Sequence, residues 1–163
     1  MSNSDHPEVV EPASPEKNIA ALPNLSDITE VNVLVVGASR GIGCGFARAL
    51  LTLPNIGTVF ATYRNENTAT ELMELRENQS AAGVDQSSPS SLVCLPMDIT
   101  DEEQIIEGIK QIQVQAQQLH LVVNCVGFLH DDTTQPEKSL RQLNLDQLTH
   151  YFQVNSIGPV LLA

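Results

Sequence analysis

The stretch VLVVGASRGIGCGFARAL, residues 33–50, runs from an apolar segment through a glycine-rich turn into a helical pattern. It limits the possible folds more than any other part of the chain, because a buried strand must pass within a few residues into a helix. Gly37, Gly41 and Gly43 form the spacing GxxxGxG. Glycine permits a tight turn and a close backbone approach, and the start of the helix offers free N–H groups to a pyrophosphate. The turn therefore predicts a nucleotide-binding site, although by itself it would also fit an ordinary strand–helix connection.

Strand and helix patterns alternate along the rest of the chain. Four short β-rich runs are expected at residues 31–36, 58–62, 92–97 and 119–124. Such alternation is typical of βαβ units, whose parallel sheet is covered by helices on both faces. The sequence predicts an α/β fold with a Rossmann-type doubly wound parallel sheet, truncated after the fourth strand and helix. Residues 1–30 are acidic and contain four prolines, so we expect a flexible leader followed by a domain of residues 31–163.

The helical segments differ in their apolar patterns. In the first helix one continuous face is expected to be apolar, with Ile42, Phe46, Ala49, Leu50 and Leu53. The second helix, at about residues 68–80, is polar and is expected at the surface. The third repeats the apolar face with Ile105, Ile109, Ile112 and Ala116, and the spacing of Thr100 and Glu103 predicts a capping box at its start. A loop is expected at residues 82–91.

Composition excludes several classes of function. The net charge of −12 leaves no basic stripe to neutralise phosphates, so no nucleic-acid partner is expected. Three cysteines without a CxxC spacing favour a reduced, cytoplasmic setting. Neither a signal peptide nor a membrane-spanning run is present in the sequence. His130, Asp131 and Asp132 are interpreted as a solvated loop, and no metal site is predicted.

The end of the second strand bears on which nucleotide binds. Many dinucleotide sites place a carboxylate there, where it receives the ribose hydroxyls. This chain reads ATYRN, with Arg64 in place and no acid before Glu66. A guanidinium pairs with a 2′-phosphate that a carboxylate would repel, so one such contact would favour NADP over NAD by roughly 10- to 100-fold. A solvated surface arginine is the alternative interpretation.

With Ala47 four residues beyond Gly43, the turn resembles the TGxxxGIGxxxA pattern of the short-chain dehydrogenases/reductases. The resemblance implies that Ser39, Arg40 and Ile42 join the three glycines in holding the cofactor, with Arg40 directed to the 2′-phosphate. It also implies that Asp98, followed by Ile99, binds the adenine amine, although a plain turn aspartate would look the same. VVNCVG resembles the NNAG motif of this family. Asn124 and Gly127 are kept there, whereas Cys125 and Val126 replace Asn and Ala. Cys125 is interpreted as a packing residue.

The last helix carries an asparagine on its apolar stripe, since Leu148, Phe152 and Asn155 share one side of a helix. Pro159 lacks an N–H, so the carbonyl of Asn155 loses its helical partner. In VNxxGP-like contexts the family resemblance implies a kinked helix whose asparagine carbonyl holds a water of the proton relay, which makes Asn155 the candidate catalytic residue. A core asparagine bonded within the fold is the alternative. GFLHDDTTQPEK together with VNSIGPVLLA is similar to the C-factor-like branch of the family.

The catalytic tyrosine and lysine that the resemblance implies are missing. Tyr63 is followed at +4 by Asn67, and Tyr151 by Asn155, so YxxxK does not occur. The resemblance covers only the first half of the family fold, and a sheet that stops at its fourth strand leaves an unprotected edge. We therefore expect Ala163 to be a truncation point and the chain alone to be inactive.

Three hypotheses follow from these features. The leading one is the cofactor-binding half of an NADP(H)-dependent oxidoreductase, with a small-molecule carbonyl or alcohol substrate and possible homo-oligomers. A non-catalytic nucleotide-binding or interaction module is the second. A redox-sensing regulator is weaker, because such proteins usually have the spacing GxxGxxG, whereas this chain has GxxxGxG.

Overall fold

The computed structural model describes residues 24–81, 90–130 and 138–163. Its centre is a parallel four-stranded sheet with the order β3-β2-β1-β4. The strands are β1 (Val31–Val36), β2 (Ile56–Tyr63), β3 (Ser91–Pro96) and β4 (Leu121–Asn124). The helices are α1 (Gly41–Leu50), α2 (Thr70–Ala81), α3 (Glu102–Gln115), α4 (Leu145–Phe152) and α5 (Gly158–Leu162). This arrangement confirms the predicted α/β fold.

The two middle strands, β1 and β2, are almost continuously apolar, and their central position in the sheet explains this pattern. Val35 of β1 pairs with Ala61 of β2 on one side and with Val123 of β4 on the other. Val35 packs into a core beneath α1 and α2, whereas Leu34 packs into a second core against Phe60 and Ile112 on the α3 side. A strand covered on both faces leaves few positions for polar side chains, which is why the alternating pattern of a half-exposed strand is missing. Thr62 is a buried exception, and its hydroxyl accepts a hydrogen bond from the Gly37 N–H at 3.1 Å.

Helix α1 buries a different face from the predicted one. Ile42 is 77 % exposed and Phe46 is 46 % exposed, whereas Gly43, Cys44 and Ala47 are buried. The reason is the short distance between helix and turn: a Cβ on Gly43 would overlap the carbonyl of Gly37. Only small side chains fit on the face that approaches the sheet so closely. Ile42 and Phe46 consequently lie on the exposed side of α1, whereas Leu50 at its end is partly buried against the core.

The other early helices follow the sequence more closely. α2 is mostly exposed, as predicted, but it buries Leu72 and Leu75 beneath it. The apolar face of α3 is confirmed, with Ile105 and Ile112 buried. The cap of α3 lies one residue later than predicted: Asp101 accepts hydrogen bonds from the backbone N–H groups of the next turn.

Thr100 cannot cap α3 because it is already engaged. Its backbone N–H and its hydroxyl both donate to Asp98 Oδ1, at 2.9 and 2.7 Å. Asp101 then takes the capping position and is reinforced by Gln104, whose side-chain amide donates to Asp101 Oδ2 at 2.8 Å. The predicted pair of Thr100 and Glu103 is thus replaced by Asp101 and Gln104.

Packing begins a few residues before β1. Residues Leu25–Asp27 form a 3-10 turn, and Leu25 and Ile28 pack against the core beneath α1 and α2. The Asn55 side chain donates to the carbonyl of Leu25 at 3.0 Å. Of the predicted leader, residues 1–23 lie outside the described residues, as do residues 82–89 of the predicted loop.

The last helical segment departs from a regular α-helix. α4 passes into a π-helical stretch, Gln153–Ile157, and α5 follows with Pro159 in its first turn. This confirms the predicted irregularity around Asn155. The predicted apolar stripe is not buried, however, since Phe152 is 61 % exposed and Asn155 is exposed as well. In the described part of the chain, no helix combines the length and apolar character that crossing a membrane requires.

Candidate functional site

A cleft of about 370 Å³ lies at the carboxyl ends of the strands. The edge where parallel strands end is the usual ligand site of doubly wound sheets. Predicted cofactor residues from all four strand ends line this cleft: Gly37, Ser39, Arg40, Arg64, Asp98, Ile99 and Gly127. Gly41, Ile42, Gly43 and Asn124 are outside its lining. Residues far apart in the sequence are therefore brought to one site.

The glycine turn has the geometry that its sequence predicts. Gly37 has φ +79°, and a Cβ there would lie 2.6 Å from Val126 Cγ2. Gly41 has φ +58° with open space around its Cα. The two left-handed glycines bend the chain between β1 and α1. Gly37 has no side chain to fill the base of the cleft. Gly43 has a packing role instead, because it lets α1 approach the turn.

Two arginines supply positive charge at this cleft. Arg40 is exposed and immediately precedes α1 in an extended conformation, and Arg64 is exposed directly after β2. The chain has eight lysines and arginines in all, against twenty acidic residues. Among the described residues, the recorded ion pair joins Arg76 to Glu66 and involves neither cleft arginine. Both guanidinium groups can thus receive an anionic ligand.

A carboxylate that sequence reasoning missed also reaches the turn. The backbone N–H of Gly41 donates to Glu71 Oε2 at 3.3 Å. Glu71 lies in the first turn of α2, seven residues beyond Arg64 in the chain. No sequence signal marks this contact, because it depends on how α2 crosses the start of α1. Its negative charge opposes that of a phosphate at the same turn.

Asp98 combines a turn role with a position in the cleft. Its Oδ1 accepts both hydrogen bonds from Thr100, and its own N–H donates to Gln104 Oε1 at 3.1 Å. These bonds fix the chain reversal between β3 and α3. The turn interpretation is therefore correct, and the place of Asp98 in the cleft lining is compatible with the adenine contact as well.

Asn155 is bonded through its side chain to the segment that follows β4. Its Oδ1 accepts from the Phe128 N–H at 2.8 Å, and its Nδ2 donates to the Phe128 carbonyl at 2.7 Å. The side-chain amide of Asn155 therefore both donates to and accepts from the backbone of Phe128, as the backbone of a neighbouring strand would. Asn124 acts in a similar way nearby, since its Oδ1 accepts from the Val126 N–H at 3.0 Å. Both asparagines shape the cleft wall formed by residues 126–128.

Sequence reasoning did not predict several residues of the cleft lining. Met97, Phe128, His130, His150 and Val154 also line the cleft. Met97 directly follows β3, and Phe128 and His130 lie within three residues of the NNAG-like motif, so these positions could have suggested them. His150 and Val154 could not be found in that way, because the orientation of α4 and the π-helical segment depends on the tie to Phe128.

The cysteines and the suggested metal loop add no reactive group. Burial raises the pKa of the Cys125 thiol, which keeps it protonated at neutral pH and supports the packing role predicted for it. His130 lines the cleft, but Asp131 and Asp132 lie outside the described residues. Within the described ranges, no group of three potential ligands could hold a metal ion.

A family model for the short chain dehydrogenases matches residues 31–163. The chain belongs to the short-chain dehydrogenase/reductase family. It is 27 % identical over 131 residues to the short-chain dehydrogenase RED3 of Pyricularia oryzae, covering 80 % of this chain and 47 % of that protein. The glycine turn, Arg64, Asp98 and Asn155 all lie within the matched residues 31–163.

Solved structures of this family superpose on the fold. The NADPH-bound carbonyl reductase from chicken fatty liver is 29 % identical, with a TM-score of 0.66 over 82 % of this chain and 49 % of that one. The carbonyl reductase Sniffer of Caenorhabditis elegans is 26 % identical, with a TM-score of 0.58 over 83 % of this chain and 51 % of that one. The chain spans about half the length of the relatives it matches.

Proposed function

We propose that this protein acts in NADP(H)-dependent oxidoreduction of the short-chain dehydrogenase type, with hydride transfer between the nicotinamide and a carbonyl or hydroxyl carbon. One observation supports NADP over NAD most directly: Arg40 and Arg64 line the same cleft as Gly37 and Asp98. A site built for NAD usually offers the ribose a carboxylate at the end of the second strand, and this chain has Arg64 there.

The geometry of the glycine turn supports a dinucleotide ligand. A methyl group on Gly37 would collide with Val126, and the space around Gly41 is open, so the turn leaves room for a pyrophosphate next to the backbone. The first N–H groups of α1 have no partners within the helix and carry partial positive charge. One of them, the N–H of Gly41, donates to Glu71 Oε2.

NADPH, when bound, would supply the hydride. The residues of this chain would bind and orient it: the two arginines would hold the 2′-phosphate, Asp98 would accept from the adenine amine, and Gly127 would border the dinucleotide. Asn155 would keep residues 127–128 in place through its bonds to Phe128. In a complete active site its carbonyl would also hold a relay water, the role that the family pattern implies for this asparagine.

Turnover would need groups that residues 1–163 do not contain. The serine, tyrosine and lysine of the family reaction are not present as a set, because YxxxK does not occur in this sequence. We therefore propose that residues 1–163 bind the cofactor without reducing a small-molecule substrate. All three cysteines are free, which suits a reducing compartment, and we place the protein in the cytoplasm.

The test compares NADPH and NADH binding by calorimetry or NMR titration in Arg64→Ala and Arg40→Ala variants. Each substitution is expected to weaken NADPH binding by roughly 10- to 100-fold and to leave NADH binding within a few-fold. Arg48→Ala is the matched control, since Arg48 is an exposed arginine of α1 outside the cleft lining. Equal losses for both nucleotides, or a loss in the Arg48 variant, would contradict the proposal.

A second candidate is a non-catalytic module that binds a nucleotide or a partner protein. Exposed apolar side chains along α4, the π-helical stretch and α5 support it: Phe152, Ile157, Val160 and Leu161 are all more than two-fifths exposed. The two candidates differ in activity. Reduction of a carbonyl compound by the natural protein with NADPH would exclude the module, and tight NADPH binding without turnover would favour it.

A further inference from the structure

A buried hydroxyl group lies behind the glycine turn of the cleft. It belongs to Thr62, the last residue but one of β2, which is fully buried. Thr62 Oγ1 accepts a hydrogen bond from the Gly37 N–H at 3.1 Å, and the Thr62 carbonyl accepts one from the Ala38 N–H at 2.8 Å. Gly37 lines the cleft, whereas Thr62 is outside its lining. Thr62 therefore contacts the turn from the side that faces away from a ligand.

The hydroxyl of Thr62 does something that its backbone cannot do. The bond from Ala38 uses a carbonyl, which every residue has, but the bond from Gly37 needs an acceptor on the side chain. The recorded register between β1 and β2 ends with the pair Val35 and Ala61. Beyond that pair, the hydroxyl gives the Gly37 N–H an acceptor, and a polar backbone group away from water needs one. Valine would have the same shape as threonine without this acceptor.

The segment that follows β4 bounds Gly37 as well. A Cβ on Gly37 would lie 2.6 Å from Val126 Cγ2 and 3.2 Å from the Val126 nitrogen, so these groups come close to the turn. The Cys125 N–H donates to the Val36 carbonyl at 2.8 Å, which joins this segment to the end of β1. The first residue of the turn is thus held by a hydrogen bond from β2 and by close packing against the segment after β4.

Thr62 also connects two parts of the proposed cofactor site. It lies two residues before Arg64, which directly follows β2. Between them, the Tyr63 carbonyl accepts a hydrogen bond from the Met97 N–H at 2.8 Å, which fixes the end of β2 to the residue after β3. Gly37 begins the turn that would border the pyrophosphate, and Arg64 carries the charge for the 2′-phosphate. The bond from Gly37 to Thr62 therefore sets the position of the turn relative to Arg64.

We propose that Thr62 is a positioning residue for the dinucleotide: its buried hydroxyl holds Gly37, and through Gly37 the glycine turn, in the place where the turn can receive a pyrophosphate. The inference rests on the proposed function, because it takes the turn as the pyrophosphate site and Arg64 as the 2′-phosphate site. Thr62 acts through the turn and touches no part of the ligand. Loss of the hydroxyl should therefore weaken ligands that contain a pyrophosphate and spare a ligand that lacks one.

The experiment titrates the full chain by ¹⁵N NMR, which tolerates weak binding, with NADPH, NADH and adenosine 2′-monophosphate. The last ligand keeps the adenine and the 2′-phosphate but has no pyrophosphate. Thr62→Val is expected to weaken the binding of NADPH and of NADH by roughly three- to tenfold each, and to change the binding of adenosine 2′-monophosphate by less than about twofold. Thr62→Ser keeps the hydroxyl, so its NADPH affinity should stay within about twofold of wild type.

Thr58→Val is the matched control on the same strand. The Thr58 hydroxyl accepts a hydrogen bond from Ser91 Oγ at 3.0 Å, and Thr58 lies outside the cleft lining. Removing this hydroxyl should leave all three affinities within about twofold of wild type. Hydrogen exchange reports on the bond itself, because the Gly37 amide should exchange faster in Thr62→Val and unchanged in Thr58→Val. If Thr62→Val does not fold, Thr62→Cys replaces it, since a thiol is a weak acceptor of similar size.

The outcomes separate this inference from the proposed function. Unchanged NADPH binding in Thr62→Val, an equal loss for adenosine 2′-monophosphate, or an equal loss in Thr62→Ser would overturn the positioning role, even if the wild-type chain binds NADPH as proposed. Arg64→Ala tests the function by itself, since it should weaken NADPH and adenosine 2′-monophosphate and spare NADH. If the wild-type chain binds neither dinucleotide, the proposed function fails and the positioning role fails with it. Circular dichroism of each variant excludes misfolding as the cause of any loss.

Discussion

The sheet and the α4–α5 arm, residues 145–162, differ in how their side chains are used. In β1 and β2, Val33, Val35 and Phe60 are fully buried. In the arm, Val154 and Gly158 are the buried residues, while Phe152 is 61 % and Val160 is 74 % exposed. The sheet side of the cleft is thus supported by the core. The side made by the arm is held by the two bonds from Asn155 to Phe128. It is also held by the close approach of Gly158 to Ile99 and by the packing of Leu162 against the core on the α3 side. Stability and ligand binding at the arm side of the cleft should therefore respond to different substitutions.

The largest expected effect is a difference in unfolding free energy between a core variant and an arm variant. Leu72→Ala removes a fully buried side chain of α2 and should lower the free energy of unfolding by about 2–5 kcal/mol. Phe152→Ala removes a larger but exposed side chain of the arm and should change it by less than about 0.5 kcal/mol. Urea unfolding of both variants checks this. Similar losses for the two would show that the arm is packed as firmly as the core.

The next effect tests the close approach of α1 to its turn. Gly43→Ala places a methyl group against the Gly37 carbonyl and should cost about 1–3 kcal/mol of unfolding free energy. Gly45→Ala lies two residues further along the same helix with open space around it and should stabilise by up to about 1 kcal/mol. Urea midpoints of the pair give the comparison. A neutral Gly43→Ala would mean that α1 can move away from the sheet at little cost.

A smaller, local effect is expected in the arm. Asn155→Ala removes both side-chain bonds to Phe128 and should cost about 1 kcal/mol. Hydrogen exchange is the more sensitive measurement of this substitution. The Phe128 amide should exchange roughly three- to tenfold faster, while the exchange rates of the β1 amides should stay unchanged. Ser156→Ala, an exposed neighbour, serves as the control. Faster exchange throughout β1 would contradict the separation of the two regions.

The smallest effect concerns pH and the start of α3. Hydrogen bonds from the Gln104 side chain and from backbone N–H groups lower the pKa of Asp101. When the pKa of a carboxyl group is lower in the folded than in the unfolded state, the group stabilises the fold at pH values above its unfolded pKa. This stabilisation is lost as the pH falls below about 4. Asp101→Asn keeps a capping oxygen without the charge, so its unfolding midpoint should fall less between pH 7 and pH 3 than that of wild type. An equal fall of the midpoint in both proteins would show that groups other than Asp101 cause the loss of stability in acid.

The sequence was most informative where chemistry and backbone conformation coincide. The tight turn that contains Gly37 and Gly41, and the places of Arg64 and Asp98 just after their strands, were predicted from the sequence and are found in the structure. The buried face of α1 was predicted wrongly, because apolar periodicity identifies a face but does not say how close the sheet will come. Once Gly43 sets a short distance, small residues must face inward.

The arm was harder to predict for a related reason. The position of His150 depends on the crossing of α4, which is set by the contact of Phe128 with His150 and Tyr151 and by the amide of Asn155. These contacts join residues more than twenty positions apart in the chain. Local periodicity contains no information about such pairs, so neither the position of His150 nor the bonds of Asn155 could be derived from spacing.

The measurement that tests the account most directly is the ratio of NADPH to NADH affinity in the wild-type chain, obtained by side-by-side titration at one ionic strength. If Arg40 and Arg64 receive the 2′-phosphate, NADPH should bind at least about tenfold more tightly, and the difference should shrink as salt is added. Equal affinities, or tighter binding of NADH, would contradict the assignment of these arginines and the proposed NADP(H) specificity.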